Sequence, residues 1–192
     1  MPKPLAVVAL LALAACLGPR SDPSAFFLLS SPPPDVTGTP VPVRIGVGPV
    51  TLPGYLERPQ IVTRVSDDEI ALSEADRWAE PLADNVVRTL EENLAGLLPG
   101  SSYVGYPWYA AAAPDYAVAL EVRRFEADAS GAVVLDATWR LSRDDAQVAG
   151  SAERIEEQAV GSDRAAAVAA HSRALAELSR EIAAAVRRAV GP

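Results

Sequence analysis

The chain has 192 residues, which is enough for one ordinary domain with its own core and too few for two comfortable domains. It carries 17 lysine and arginine residues against 25 aspartate and glutamate residues, a net charge of −8, which argues against a basic face for nucleic acid. Its single cysteine and single histidine lie in different halves of the chain. They cannot form a clustered zinc or iron–sulfur site, so we expect no metal and no cofactor.

The N-terminal segment has the pattern of a bacterial signal peptide over residues 1–15. Lys3 gives it a basic start, residues 5–13 are apolar, and two small alanines precede Cys16. The apolar run is short of the ~20 residues that a membrane-spanning helix needs. The string LAAC at positions 13–16 resembles the lipobox of bacterial lipoproteins, in which the cysteine thiol receives a diacylglycerol and the signal is cut before it. We therefore expect lipidation at Cys16; the alternative is a secretory signal with a chance cysteine.

Several acyl chains would hold the mature protein stably on a membrane. Leu17 is not the aspartate that retains enterobacterial lipoproteins in the inner membrane, so the resemblance favours the periplasmic face of the outer membrane. Residues 16–40 form a proline-rich tether around a short apolar run, residues 25–29, which we expect to be a strand docked on the domain. The free tether is then residues 17–24, reaching roughly 25–30 Å at ~3.3–3.6 Å per residue. A single domain is expected over residues 41–192.

The domain is expected to begin with strands. The β-branched run at residues 41–50 and the run at residues 60–65 predict two strands, joined by a stiff loop rich in proline and glycine. Residues 69–72 then predict a short hairpin arm. Ser73 with an aspartate three residues later is typical of a helix start, so we expect a short helical lead-in there.

Two longer helices are predicted from apolar residues at helical spacing. The first runs from Pro81 to Leu97. A short strand at residues 101–106 and three further strand-like runs follow it, of which the last, residues 147–158, is polar and predicts an edge strand. The second helix is expected to be capped by Ser162 and to reach about Val190. Its predicted buried stripe is Ala165, Val168, Leu175, Leu178, Ile182, Val186 and Ala189.

This order of elements predicts an α/β (α+β) sandwich, with a mixed, largely antiparallel sheet covered by two main helices. No motif for catalysis accompanies His171, which lies between apolar residues of the last helix and is expected to pack against the core. Adjacent acidic residues point apart on strands and helices and do not converge across a cleft. We therefore expect no enzymatic activity. The enzyme-class alternative is a periplasmic hydrolase in which His171 faces a serine or an aspartate.

One candidate interaction surface is the loop region at residues 52–64. It combines stiff proline positions with the chemically rich side chains Tyr55, Arg58 and Gln60, and a stiff loop loses little entropy on docking. The alternative is a structural crossover in which Arg58 pairs with Glu57 or with a helix acid.

A second candidate surface is the aromatic pair Trp108 and Tyr109, in an alanine-rich loop bracketed by prolines. Exposed aromatic side chains could meet a partner protein or a membrane surface. The alternative is a lid folded over the sheet as part of the core.

Residues 45–64, IGVGPVTLPGYLERPQIVTR, resemble the ABC-type transport auxiliary lipoprotein family, also described as the PqiC-like lipoproteins. The segment follows the family's strand, its LPxYLxRPQ-type loop and its next strand. The sequence RWAEPL at residues 77–82, with the helix after it, matches a second family block. The resemblance covers nearly the whole mature chain. Phe26 and Phe27 stand where the family usually has two tyrosines, so no role of those hydroxyls carries over.

The resemblance implies an anticodon-binding-domain-like sandwich, an outer-membrane lipid anchor and service to an envelope lipid transporter, without catalytic residues. In such systems a periplasmic MCE-domain protein forms a hydrophobic conduit that the lipoprotein meets at the outer membrane. Members could also assemble as a homo-oligomeric ring. The residues we expect at the partner or assembly surface are Tyr55, Arg58 and Gln60, supported by Trp78, with Trp108 and Tyr109 as a secondary surface. The alternative function is assembly of an outer-membrane protein or of a lipopolysaccharide export complex.

Overall fold

A computed structural model describes residues 24–33, 39–109 and 112–191. The predicted signal peptide and Cys16 lie outside the described residues. No helix in the described ranges is long and apolar enough to cross a membrane. The described elements are β1 Ala25–Phe27, β2 Arg44–Thr51, β3 Gln60–Arg64, β4 Ile70–Trp78, α1 Leu82–Leu97, β5 Ser102–Gly105, β6 Tyr116–Asp128, β7 Ala132–Arg143, β8 Ala146–Gln158 and α2 Arg164–Val190.

The eight strands form one curled sheet that branches at β6. One edge of β6 pairs antiparallel with β7, which carries β8 as the predicted edge strand. The other edge of β6 pairs parallel with β2 along its first half and with β3 at its last two residues. Strand β5 extends the sheet from β2, while β4 and then β1 extend it from β3. Most of the paired residues lie in antiparallel ladders, which confirms the predicted mixed, largely antiparallel sheet.

The two helices pack against each other and against the sheet, α1 on β2 and α2 on β6, β7 and β8. Leucine and valine at helical spacing lie on the buried face of α1, as the sequence predicts, and buried alanines add to leucine, valine and isoleucine on the buried face of α2. One polar contact lies inside this layer, where Asn93 Nδ2 donates to Ser179 Oγ over 2.9 Å, while Asn93 Oδ1 is buried without a partner among the described residues. The predicted stripe of α2 needs one correction, since Ala165 in the first turn is exposed.

The predicted helical lead-in at Ser73 is wrong, because β4 continues as a strand to Trp78. The hydrogen bonds expected of a cap are present, with the Asp76 N–H donating to Ser73 Oγ over 3.0 Å. They close a bulge instead, since Val62 pairs with Leu72 whereas Gln60, two residues earlier, pairs with Arg77. Pairing with β3 on one side and β1 on the other keeps this segment extended.

The cap of α2 is also one residue later than predicted. Asp163, not Ser162, has the extended backbone of an N-cap, and its Oδ1 accepts a hydrogen bond from the Ala166 N–H over 2.8 Å. Asp163 also places a negative charge at the positive end of the helix dipole.

The chain leaving β1 is bound tightly to the helices. Leu29 is fully buried, and its N–H donates to Asn85 Oδ1 over 3.1 Å. The next residue, Ser30, donates its N–H to Ser172 Oγ over 3.1 Å, so the segment contacts both α1 and α2. These contacts fix where the N-terminal tether enters the fold, which is at Ser24, immediately before β1.

Candidate functional site

The loop at residues 52–59 joins β2 to β3 and is stiffened by its own turns. The Leu56 N–H donates to the Pro53 carbonyl over 2.8 Å, and the Glu57 N–H donates to the Gly54 carbonyl over 3.3 Å. Leu56 is 2% exposed, so its side chain anchors the loop in the core. The loop therefore presents its remaining side chains from a fixed backbone.

A buried carboxylate holds the loop to the sheet. The Tyr55 hydroxyl donates to Glu126 Oε2 over 2.7 Å, and Arg64 Nε donates to Glu126 Oε1 over 2.7 Å. Arg124 Nε donates to the same oxygen over 3.0 Å, and the Phe125 N–H donates to Oε2 over 3.0 Å. The Glu126 side chain has no exposed surface, so all of its charge is compensated inside the protein.

The ionisation of this cluster follows from its contacts. Burial by itself would raise the pKa of the Glu126 carboxyl, but hydrogen bonds from Arg64, Tyr55 and Arg124 outweigh it and lower the pKa. Burial, followed by the hydrogen bond to Glu126, raises the pKa of Tyr55 to about 12. Tyr55 thus acts as a neutral donor that ties the loop to β6. No motif marks Glu126 in the sequence, where a charged residue in an alternating strand pattern is expected to face solvent.

An apolar cavity of about 580 Å³ lies beside this loop, where β1, the end of β4 and the start of α1 meet. Its apolar wall includes Phe26, Leu52, Pro59, Trp78, Pro81 and Ala83. The charged residues Glu57, Arg58 and Glu80 complete the lining. A cavity of this volume is in the range of small-molecule sites, ~300–1,000 Å³.

Arg58 is half-buried in the wall of this cavity. Its Nε is shielded from solvent and has no hydrogen-bond partner in the described part of the chain. Glu80 is engaged elsewhere, since it pairs with Arg88 over 3.1 Å. Within the described residues Arg58 thus forms no ion pair with Glu57 or with a helix acid, which was the structural alternative for this side chain.

The other two residues expected at this surface have different positions. Gln60 is half-buried at the start of β3, directly opposite Arg77 of β4. Trp78 is only 5% exposed and forms part of the cavity floor, with its ring against His171 at a centroid distance of 5.7 Å. The Trp78 N–H donates to the Pro59 carbonyl over 2.7 Å, which joins the loop to β4. Trp78 is therefore a buried residue that holds the loop in place, and it is not part of an exposed surface.

His171 packs inside the core, as the helix spacing predicts. It is 1% exposed, its ring lies 4.9 Å from that of Phe125, and Nδ1 is 2.8 Å from the Ala167 carbonyl oxygen. Burial lowers its pKa to about 4. The hydrolase alternative requires this imidazole to face a serine or an aspartate in a pocket, whereas its ring is enclosed by Trp78, Phe125 and its own helix. Across the described ranges no group of three or more histidine, cysteine, aspartate or glutamate side chains could hold a metal ion.

The secondary aromatic surface is split between a packed and an exposed residue. Trp108 is half-buried and covers Gly46 of β2, while the neighbouring Tyr106 ring lies 5.2 Å away at a steep angle. Tyr109 is 77% exposed. Trp108 therefore has the lid arrangement, and Tyr109 remains the side chain of this pair that is open to a partner.

We expect Gly46→Ala to destabilise the fold by about 1–3 kcal/mol. An added Cβ would lie 2.7 Å from the Trp108 ring and 2.9 Å from Pro114, so the lid must shift. Urea unfolding measures the loss, and tryptophan fluorescence reports exposure of the lid. Gly54→Ala is the control, because nothing lies within 4 Å of a Cβ at Gly54. Equal stability losses in the two variants would contradict the lid.

Comparison with known proteins places the chain in a family. The family model described as "ABC-type transport auxiliary lipoprotein component" matches residues 27–183, and the chain belongs to this family. A crystal structure of an uncharacterised protein is similar over 86% of this chain and 100% of that chain, with 22% identity and a TM-score of 0.73. Protein XCC0632 from Xanthomonas campestris, assigned to the DUF330 family, is similar over 83% of this chain and 93% of that chain, with 23% identity and a TM-score of 0.65. No curated protein matches the chain.

Proposed function

We propose that this protein is a lipid-anchored accessory subunit of an ABC/MCE-type envelope lipid transporter, which docks the periplasmic MCE-domain protein at the outer membrane. The observation that carries the proposal is membership of the transport auxiliary lipoprotein family over residues 27–183. A docking subunit needs a membrane-targeting signal and a rigid binding surface, and it needs no catalytic nucleophile. The lipobox at Cys16 would supply the targeting signal, and the loop at residues 52–59, which Glu126 holds in place, would supply the binding surface.

Cys16→Ser is expected to abolish incorporation of radiolabelled palmitate and to release the protein from the outer-membrane fraction. The thiol is the acceptor of the diacylglycerol, and the tether offers no second cysteine. Palmitate labelling and density-gradient fractionation of envelopes measure both effects. A variant that stays in the outer-membrane fraction without palmitate would contradict lipid anchoring through this residue.

We expect the partner to contact the loop at residues 52–59, which we call the docking loop. Its backbone is fixed by internal turns and by Glu126, so binding would cost little conformational entropy. Glu57 is exposed at the loop and lines the apolar cavity together with Arg58 and Glu80, which places polar groups beside its apolar wall. An apolar centre with a polar rim is the usual anatomy of a protein interface.

Photo-crosslinking in intact envelopes tests the proposal. A photoreactive amino acid in place of Glu57 is expected to capture an MCE-domain subunit, identified by mass spectrometry. The same amino acid in place of Gln147, exposed on the edge strand β8, is the matched control for non-specific capture. Capture of only a barrel-assembly or lipopolysaccharide-export component would replace the proposal by the assembly-factor alternative. Capture of only other copies of this chain would assign the loop to an oligomer interface.

A further inference from the structure

Two groups at the apolar cavity suit an anion. The first is Arg58, whose guanidinium is in the cavity wall with no carboxylate partner in the described part of the chain and with Nε shielded from water. A cation in this position carries a desolvation cost that a bound anion would offset.

The second group is the N-terminus of α1, a helix of 16 residues that opens onto the same cavity through Pro81, Leu82 and Ala83. Pro81 at the N-cap position provides no side-chain hydrogen bond. The first backbone N–H bonded inside the helix is that of Asn85, which donates to the Pro81 carbonyl over 3.0 Å. Free N–H groups and the positive end of the helix dipole favour an anion there. Asp84 in the first turn is exposed and offsets part of this dipole.

The cavity also lies where the membrane tether enters the fold. Phe26 is in its wall and is 65% exposed, and Leu28 beside it is 48% exposed. Only residues 17–23 separate the lipidated Cys16 from Ser24, the first described residue. At ~3.3–3.6 Å per residue this tether keeps the cavity within roughly 30 Å of the bilayer surface.

We propose that this cavity binds one phospholipid, with acyl carbons against Phe26, Leu52 and Pro59 and with the phosphate on Arg58 and the N-terminus of α1. An apolar wall with one guanidinium that has no carboxylate partner among residues 24–33, 39–109 and 112–191 matches a ligand with a long apolar part and a single anionic group. The inference rests on the proposed function and deepens it, because the lipoprotein would then bind the transported lipid itself. An acidic peptide segment would match the guanidinium but would leave most of the apolar wall unused.

Lipid capture in growing cells tests the inference with the full-length lipoprotein. p-Benzoylphenylalanine replaces Phe26, cells are grown in radiolabelled phosphate and irradiated, and the protein is purified under denaturing conditions. The diacylglycerol on Cys16 contains no phosphorus, so label on the protein reports a captured phosphorus-containing ligand. Release of the label by phospholipase C identifies that ligand as a glycerophospholipid. The same photoreactive residue in place of Ala152, exposed on β8, is the matched position control.

Two variants separate binding in the cavity from mere proximity to the membrane. Arg58→Gln removes the cation and is expected to reduce the label from position 26 about tenfold, whereas Arg140→Gln, the same change at an exposed site on β7, leaves it unchanged. Ala83→Trp fills the cavity from the first turn of α1 and is expected to reduce the label to the level of the Ala152 control. Urea unfolding of each variant confirms that the fold is retained.

Three results would overturn the inference: label at position 26 no higher than at position 152, label that neither Arg58→Gln nor Ala83→Trp lowers, or capture of a protein in place of lipid. The outcome is separable from that of the docking experiment. Capture of an MCE subunit from position 57 without lipid at position 26 would retain the proposed function and remove only the lipid site. Lipid at position 26 without an MCE subunit would leave a lipid-binding lipoprotein that serves a different partner.

Discussion

Glu126→Ala is expected to destabilise the protein by about 3 kcal/mol, the largest effect of a single substitution outside the apolar core. Removing one partner from a buried ion cluster typically costs ~3–5 kcal/mol, because the opposite charges remain buried without compensation. We expect the lower end of that range because the side chains of Arg64 and Arg124 are 18% and 28% exposed and can be partly hydrated. Urea unfolding at pH 7 measures the loss.

The matched control for this prediction is Asp136→Ala on β7. Asp136 pairs with Arg123, but the two side chains are 22% and 49% exposed, and such a surface pair contributes less than ~1 kcal/mol. Comparable losses in the two variants would contradict a special role for the buried cluster. Glu126→Ala should also lower the yield of crosslinks from position 57, since Tyr55 loses the acceptor that holds the loop.

Acidification from pH 7 to pH 5 is expected to remove about 2 kcal/mol of stability through His171 alone. Its pKa is about 4 in the folded protein against an ordinary value of 6.5, because burial disfavours the charged imidazole. The unfolded chain therefore binds the proton first as the pH falls below 6.5, which favours unfolding. The stability is fully present above pH 6.5 and is lost progressively as the pH falls towards 4.

His171→Gln tests this assignment, because glutamine does not titrate and can still donate to the Ala167 carbonyl. The measurement is the change in unfolding free energy between pH 7 and pH 5 within each protein, so that any constant cost of the substitution cancels. We expect a clearly smaller change in the variant. An equal change in both proteins would assign the acid sensitivity to other groups. Glu126, with its lowered pKa, contributes its own loss at still lower pH, below the usual range of glutamate.

The spacing of apolar and polar residues predicts those helices and strands that have the same side buried along their whole length. α1 presents an apolar stripe, and this spacing together with Pro81 as a first-turn residue predicts its start within one residue of the observed one. The edge position of β8 followed from its polar pattern in the same way. The segment after Leu72 was mispredicted because Ser73 and Asp76 make the same local hydrogen bonds in a strand bulge as in a helix cap. Only pairing with two neighbouring strands distinguishes these conformations.

The partner surface at Tyr55, Arg58 and Gln60 stays a prediction, and the sequence did not predict the contacts from which the structure builds this region. Their chemistry predicts Tyr55, Arg58 and Gln60 at a surface, whereas in the structure Tyr55 anchors the loop and Arg58 has no partner among the described residues. The difference arises from residues far away in sequence. Glu126 is 71 positions from Tyr55 in the sequence. The start of α1, which lines the cavity, follows β4 in the sequence and is separated from the loop by two strands.

Local order in the sequence predicts the two helical stripes, the edge strand and the family motif around the loop, and it is also the basis for the expected lipobox and tether. These features depend on residues within a few turns or strand repeats of one another, so spacing suffices to read them. Which polar groups are paired depends instead on contacts between segments far apart in the chain. Glu126 is buried beneath the loop, Arg58 has no partner in the described part of the chain, and the start of α1 has no side-chain cap. Each of these features depends on burial by segments that are distant in sequence and that meet only where the folded sheet brings β1, β4 and α1 together.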